Sequence, residues 1–276
     1  MGALRCPLKA DDKPVKKSIM ILRRSLFVFT VLLVGPSVSA LGGCARLAGD
    51  WTVASREPAG IAPDPALTRE AVVQVYAARA FKWRGAFAVH TWISIKPEAA
   101  AAYTVMEVTG WGVRHGGAAV NIEEDAPDRY WYGARPDLLA ELRGDAATRA
   151  IAKIRAAVAR YPYPDSYRTW PGPNSNTFTA HVLRQVPELK TDLPPTAIGK
   201  DFLPGPGFVA RTPSGGGGQV SLLGLAGVLV SAEEGLEVNL LGLSFGIDPG
   251  ELALRLPGIG KIGFNTDETG AAAAAN

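Results

Sequence analysis

Ser175, His90 and Glu107 are the side chains whose types suit acyl-transfer chemistry. Ser175 stands where the Pro/Gly-rich stretch Trp170-Pro171-Gly172-Pro173-Asn174 runs into the apolar segment that contains Phe178, Val182 and Leu183. A side chain at a helix start faces unsatisfied backbone N–H groups and the positive end of the helix dipole, which favours an anionic nucleophile or an oxyanion. Serine attacks only when a base takes its proton. A neutral histidine within reach does this, and a third polar group fixes its tautomer. His90 is the candidate base and Glu107, from the neighbouring strand-like run, the candidate orienting group. Backbone N–H groups at the helix start would hold the oxyanion.

The same residues admit a second reading. Asn174 or Ser175 is then simply an N-cap, both types being preferred there, and His90 is a half-buried strand histidine. In that case the helix-start pocket holds a carboxylate or a peptide end without turnover. Asn174 and Asn176 flank such a pocket, and Trp92, Trp111 and Trp170 are candidate walls that serve equally well as core.

Other chemistries lack their residues. His90, His115 and His181 show no metal-ligand spacing and there is no cysteine cluster, so no metal and no cofactor is expected. Gly215 to Gly218 is not followed by the Lys-Ser/Thr of a phosphate loop. Neither a Gly-x-Ser-x-Gly elbow nor a Ser-x-x-Lys pattern followed by Lys-Thr-Gly occurs. Cysteine stops at Cys6 and Cys44, which excludes thiol chemistry from the body of the chain.

The first 44 residues carry the basic character. They hold seven Lys/Arg and two acids, leaving 22 bases against 24 acids in the rest. No basic stripe suggests nucleic-acid binding. Lys16, Lys17, Arg23 and Arg24 precede the apolar run Leu26–Val34, which Gly35-Pro36 interrupts, and Val38-Ser39-Ala40 is a small-residue cleavage pattern. Leu41-Gly42-Gly43-Cys44 resembles a bacterial lipobox, with Cys44 as the lipidated residue. The expectation is an exported protein, tethered to the membrane through this leader or its lipid, on the periplasmic side of a cell envelope.

Residues 45–70 are polar and Pro-rich and read as an extended lead-in. Strand-like runs follow at 71–78, 86–95 and 103–111, with a fourth at 119–123. Alternation along the second puts His90 on the face of Trp92 and Ser94, opposite Val89, Thr91 and Ile93; a histidine there is expected to meet a helix start packed across the sheet. Pro136 with Leu138, Leu139 and Leu142 predicts a helix, and Asp145 is placed to cap another that carries Ile151, Ile154 and Val158. Asn174 caps a third. Residues 212–218 read as a linker, and 219–265 as a β-rich segment of glycine-bent hairpins packed on the 71–211 domain. Residues 266–276 read as a disordered tail.

Residues of about 51–265 resemble a bacterial envelope family, domain of unknown function 3750. The carrying motifs are Ala88-Val89-His90-Thr91-Trp92, Tyr103–Trp111, Trp170–Phe178 and Leu193–Asp201. More distantly, Asn174-Ser175-Asn176-Thr177-Phe178 is similar to the Asn-Cys-Asn-x-Phe helix start of circularly permuted papain-like proteins, including the PPPDE-type isopeptidases. Those carry a His-Thr strand motif upstream, as His90-Thr91 stands here. This resemblance covers roughly residues 71–203. It implies an α+β fold, a permuted papain-like antiparallel sheet with packed helices, followed here by the smaller β-rich segment. It also implies that His90 and Ser175 occupy the dyad positions. Serine in place of cysteine raises the nucleophile's pKa by several units, which excludes a thiol peptidase. A serine hydrolase or a disarmed binding module remains, and the loss of easy ionisation favours the module.

Overall fold

The computed structural model describes residues 13–42, 49–205 and 207–263. The lipidation candidate Cys44 and the tail 266–276 lie outside the described residues. The chain divides into two compact units, residues 1–34 and 35–276. Helix α1 (Lys13–Leu41) continues through Gly35-Pro36, the pair that interrupts the apolar run. An internal proline forfeits one backbone bond and does not always end a helix. Among the described residues, no helix is long and apolar enough to cross a membrane.

The larger unit is α+β, built around two antiparallel sheets. The first contains β1 (Val72–Arg79), β2 (Val89–Lys96), β3 (Thr104–Val108), β4 (Val120–Glu124) and β5 (Asp137–Arg143), in the order β4-β3-β2-β1-β5. Between β3 and β4 lies the single-turn α2 (Gly110–Arg114). The segment expected as a helix after Pro136 is β5, a correction with a clear cause. Its pairing to β1 slips between Val75 and Tyr76, so Leu139 is an extra residue. A β-bulge breaks strict alternation. Leu139 and Leu142 therefore both pack on the same core despite being three apart, a spacing that imitates a helix face.

Two helices cover one side of this sheet, α3 (Gly144–Ala159) and α4 (Ser175–Leu183). They bury Ile151, Ile154, Phe178 and Val182 against Val73, Val75, Ile93 and Met106. Asp145 is not the cap of α3; that position is Arg143, and Asp145 lies in the first turn, where its charge favours the helix's positive end. The other side of the sheet carries Tyr76, Ala78, Trp92 and Val105, covered by Trp131. The Pro-rich lead-in crosses over this side. Its Ile61 and Ala62 N–H groups donate to the Asp128 carboxylate at 2.5 and 3.1 Å, and Pro58 bridges Arg129.

The second sheet is a meander of β6 (Val209–Arg211), β7 (Gly217–Leu222), β8 (Ala226–Ser231), β9 (Gly235–Leu240), β10 (Leu243–Asp248), β11 (Ala253–Leu256) and β12 (Gly260–Gly263). Residues 212–218 are not a loose linker. Thr212 and Ser214 are buried, and Ser214 N–H donates to Glu234 at 2.9 Å. Gly217 belongs to β7, where a Cβ would lie 1.9 Å from the Val230 carbonyl oxygen. These glycines serve close backbone approach rather than freedom of movement.

The meander turns its polar side inward. Glu237 and Arg255, 2% and 0% exposed, face a segment that supplies Asp192 and Lys200. Lys200 and the Arg255 Nε both bond to Glu237. Arg255 also makes a bidentate pair with Asp192, both contacts at 2.6 Å. Asp201 accepts from Asn239 at 2.8 Å and from Ser244 at 3.3 Å.

Candidate functional site

His90 lies near the start of β2, one residue before Thr91, so the two side chains leave opposite faces of the sheet. Thr91 faces α4: its hydroxyl donates to Asn176 Oδ1 at 3.0 Å and reaches the Ser175 carbonyl at 3.5 Å. His90 faces the aromatic side. Its ring stacks on Trp131 at 3.7 Å between centroids and lies 5.7 Å from the Trp92 ring. No hydrogen bond joins Ser175 to His90 among the described residues, and the sheet lies between their side chains. The proposed Ser175–His90 dyad is therefore not assembled. Alternation was read correctly along β2, but α4 packs on the face opposite His90, the face of Thr91.

The predicted partnership of His90 and Glu107 does form. Glu107 lies opposite Trp92 on β3, on the same side as His90, and its Oε2 is 2.7 Å from His90 Nε2. Its other oxygen accepts from Arg129 at 2.8 Å. Arg129 also meets Asp125 at 3.2 Å and lies over the Trp92 ring, 5.5 Å from its centroid. Burial holds His90 below the usual histidine pKa, against the upward pull of Glu107. Burial raises the Glu107 pKa, but the bond to His90 and the charge of Arg129 help to outweigh it, and the carboxyl is held below its ordinary value. The pair is thus a neutral imidazole beside a carboxylate. His90 Nε2–H donates to Glu107, which leaves Nδ1 as the acceptor nitrogen.

The start of α4 is closed by its own residues. The Asn174 carboxamide oxygen accepts from the Asn176 and Thr177 N–H groups at 3.0 and 3.1 Å, and Thr177 Oγ1 accepts from Asn174 N–H at 3.2 Å, a capping box. Two donors that an oxyanion or carboxylate would use are thereby occupied. Asn174 Nδ2 donates to the Thr169 and Ile198 carbonyls. Gly199, at φ +100°, permits this approach, since a Cβ there would lie 2.4 Å from the Asn174 amide. Asn176 Nδ2 ties β2 to the 198 turn through Val89 and Ile198. Ser175 is buried, and its hydroxyl makes no hydrogen bond among the described residues.

The tryptophans also have structural employment. Trp92 is fully buried and donates to the Pro127 carbonyl at 2.7 Å. Trp170 donates to the Leu241 carbonyl at 3.0 Å, fastening the loop before α4 to the meander. Trp111 is 5.6 Å from the Trp51 ring. His115 bonds to the Trp111 carbonyl and His181 to that of Ala157. No group of three or more His, Cys, Asp or Glu among the described residues could hold a metal ion.

On the aromatic side the structure offers a cavity that sequence reading missed. It measures about 280 Å³ and is bordered by Arg79, Phe81, Lys82, Trp131, Tyr132 and Arg135. Three cations border it, and none of its lining residues is acidic. Lys82 and Arg135 make no ion pair within 4 Å among the described residues, whereas Arg79 donates to the carbonyls of Gly85, Gly258 and Ile259. Lys82 at φ +60° and Tyr132 at φ +48° hold left-handed backbone, uncommon for such side chains and concentrated at binding and active sites. The available signal was the run Asp128-Arg129-Tyr130-Trp131-Tyr132, whose charge and aromatic density exceed what a plain turn requires.

The layers and the two sides of the first sheet define an α+β protein with a helix-covered face, an aromatic face and a β meander. Residues 70–202 match the family described as protein of unknown function (DUF3750). No curated protein and no solved structure matches the chain. The more distant likeness to permuted papain-like proteins thus rests on its short motifs alone.

Proposed function

We propose that this chain is a binding module for a small carboxylate-bearing ligand, such as a peptide end, and that the ligand occupies the cavity beside Trp131 rather than the start of α4. The observation that carries this reading is the cationic rim of Arg79, Lys82 and Arg135 on an aromatic cavity without an acid in its lining. A volume of about 280 Å³ suits a group of amino-acid size. Lys82 and Arg135 meet the carboxylate, Phe81 and Tyr132 cover its apolar part, and the neutral His90 supports the cavity wall by stacking on Trp131. Catalysis has no part in this reading, because the capping box and the sheet keep Ser175 apart from His90. The basic and apolar N-terminal segment supports action at a cell envelope, with Cys44 as acyl acceptor; fractionation with labelled fatty acid, comparing wild type with Cys44→Ala, tests that component.

The binding test is a calorimetric titration of the full-length chain with one short peptide series, free or amidated at the C-terminus. The free acids bind and amidation weakens them about tenfold or more, as loss of a charge-assisted contact requires. Lys82→Ala and Arg135→Ala weaken the free acids similarly. Equal binding of acid and amide, or binding unchanged in both variants, rejects the reading.

A further inference from the structure

The meander has the opposite polarity to an ordinary half-exposed sheet, in which the apolar side is inward. Cross-strand register defines its outer rows. Val220, Val228 and Val238 form one, continued by Phe245. Val230, Leu236, Ile247, Leu254 and Ile262 form the next. At their centre Val228, Val238 and Val230 are 46%, 47% and 56% exposed. No outward position of β7 to β11 carries a charge. The acids and bases of these strands point inward, Glu237 and Arg255 into the pairings described above and Asp248 to Lys261 at 2.7 Å.

We propose that this face is an interface with the same face of a second copy of the chain, closing a two-sheet sandwich. Seven strands at their usual spacing, with central strands of six residues, give a face of roughly 30 by 20 Å, or about 600 Å² in projection. That reaches the upper end of apolar patches on ordinary monomers and, once side-chain relief is included, approaches the ~800 Å² that each partner of a stable complex commonly buries. Its composition is that of a sandwich interior: valine, leucine and isoleucine on a pleated surface, able to interdigitate with another such surface about 10 Å away. A two-fold axis makes one patch self-complementary, so no second surface is needed. Membrane-surface patches instead carry tryptophan, tyrosine and basic residues. This face has no tryptophan or tyrosine, its one cation is Arg211 on the edge strand, and Glu233 and Glu251 stand at its hairpin ends.

The test uses full-length chain in a mild non-ionic detergent. Sedimentation equilibrium gives a protein mass twice 29.1 kDa for the wild type. The double variants Val228→Glu/Val238→Glu and Val228→Lys/Val238→Lys each weaken self-association by at least about 100-fold, because like charges would meet in an apolar interface. Both keep the wild-type circular dichroism, since the substituted side chains are on the open face of each protomer, and both lose the concentration dependence of melting that the wild-type dimer shows. An equimolar mixture of the two recovers a heterodimer through opposite charges. A monomeric wild type, or a dimer that persists in both variants, overturns the proposal. So does a monomer that binds zwitterionic vesicles and loses that binding in both variants, which assigns the face to lipid.

Discussion

His90 and Glu107, on adjacent strands of the first sheet, share a hydrogen bond of 2.7 Å on the side of the sheet that faces away from Ser175. The imidazole donates, the carboxylate accepts, and Arg129 holds the other carboxylate oxygen. This is a triad-like pair without a nucleophile, and its location makes it the support of an aromatic wall.

Glu107→Ala is expected to destabilise the fold by up to about 3–5 kcal/mol, the usual consequence of breaking a buried ion pair, since it leaves a buried cation with only the half-exposed Asp125. Arg129, 3% exposed, is that cation. Chemical denaturation measures the loss. The double variant Glu107→Ala/Arg129→Met is expected to recover much of it, because the stranded charge is gone; a double variant worse than the sum of both singles would contradict this account.

Acid destabilises the protein in two stages. His90 has a lowered pKa in the folded state, so the unfolded chain binds its proton first, and stability falls as pH drops below about 6.5. Glu107 is also lowered, so its contribution is present above the ordinary carboxylate range and is lost on further acidification. His90 gives the first stage a slope of at most about 1.4 kcal/mol per pH unit. Melting temperature measured from pH 7.5 to 4 is expected to fall in wild type and to have a shallower upper stage in His90→Gln, the remainder coming from His181, which burial also holds low. An identical profile in the variant would assign the upper stage to another group.

Asn174→Ala is expected to cost about 1–2 kcal/mol by opening the capping box, and more through its lost bonds to Thr169 and Ile198. Ser175→Ala is expected to change stability by under about 0.5 kcal/mol, since the hydroxyl makes no described hydrogen bond. A serine-directed phosphonate probe is expected to leave the wild type unlabelled. Labelling that disappears in Ser175→Ala would restore the nucleophile and overturn the binding-module reading.

Glu237→Ala removes a shared carboxylate from Lys200, which keeps only Asp201 at 3.6 Å, and from the Arg255 Nε, both residues at 1% exposure or less. A loss of about 3–5 kcal/mol is expected, and hydrogen exchange should show it as faster exchange across β9 and β11. Exchange confined to the first sheet would mean that the meander does not depend on this pairing.

Much of this architecture was legible in the residues. β-branched runs marked β1 to β4, helical spacing marked α3, and the Pro-Gly-Asn approach marked α4. Alternation grouped His90 with Trp92, and strand adjacency made Glu107 its neighbour. The errors have physical sources. In β5 a bulge reproduces the three-residue spacing of a helix. At 212–218 glycine density records close packing. The face chosen by α4 depends on packing that no local pattern around His90 encodes, and it separated the dyad. The cavity is built from residues 79–82 and 130–135, brought together only by the folded sheet, in which β1 pairs with β5. Alternation in β7 to β11 was visible as well, but the rule that apolar residues face inward would assign the wrong side.

That inverted polarity also bears on how the chain reaches its native state. Successive hairpins let the meander zip through local contacts, with little loop-closure entropy to overcome. Yet Glu237 and Arg255, though bonded to each other, complete their contacts only in the preceding segment, at Lys200 and Asp192. A meander formed alone would have no apolar core on its inward side and would lose the Lys200 and Asp192 members of its buried ion network. The two sheets should therefore melt as one cooperative unit, and a chain divided at residue 205 would yield a second fragment unable to hold its strands in register.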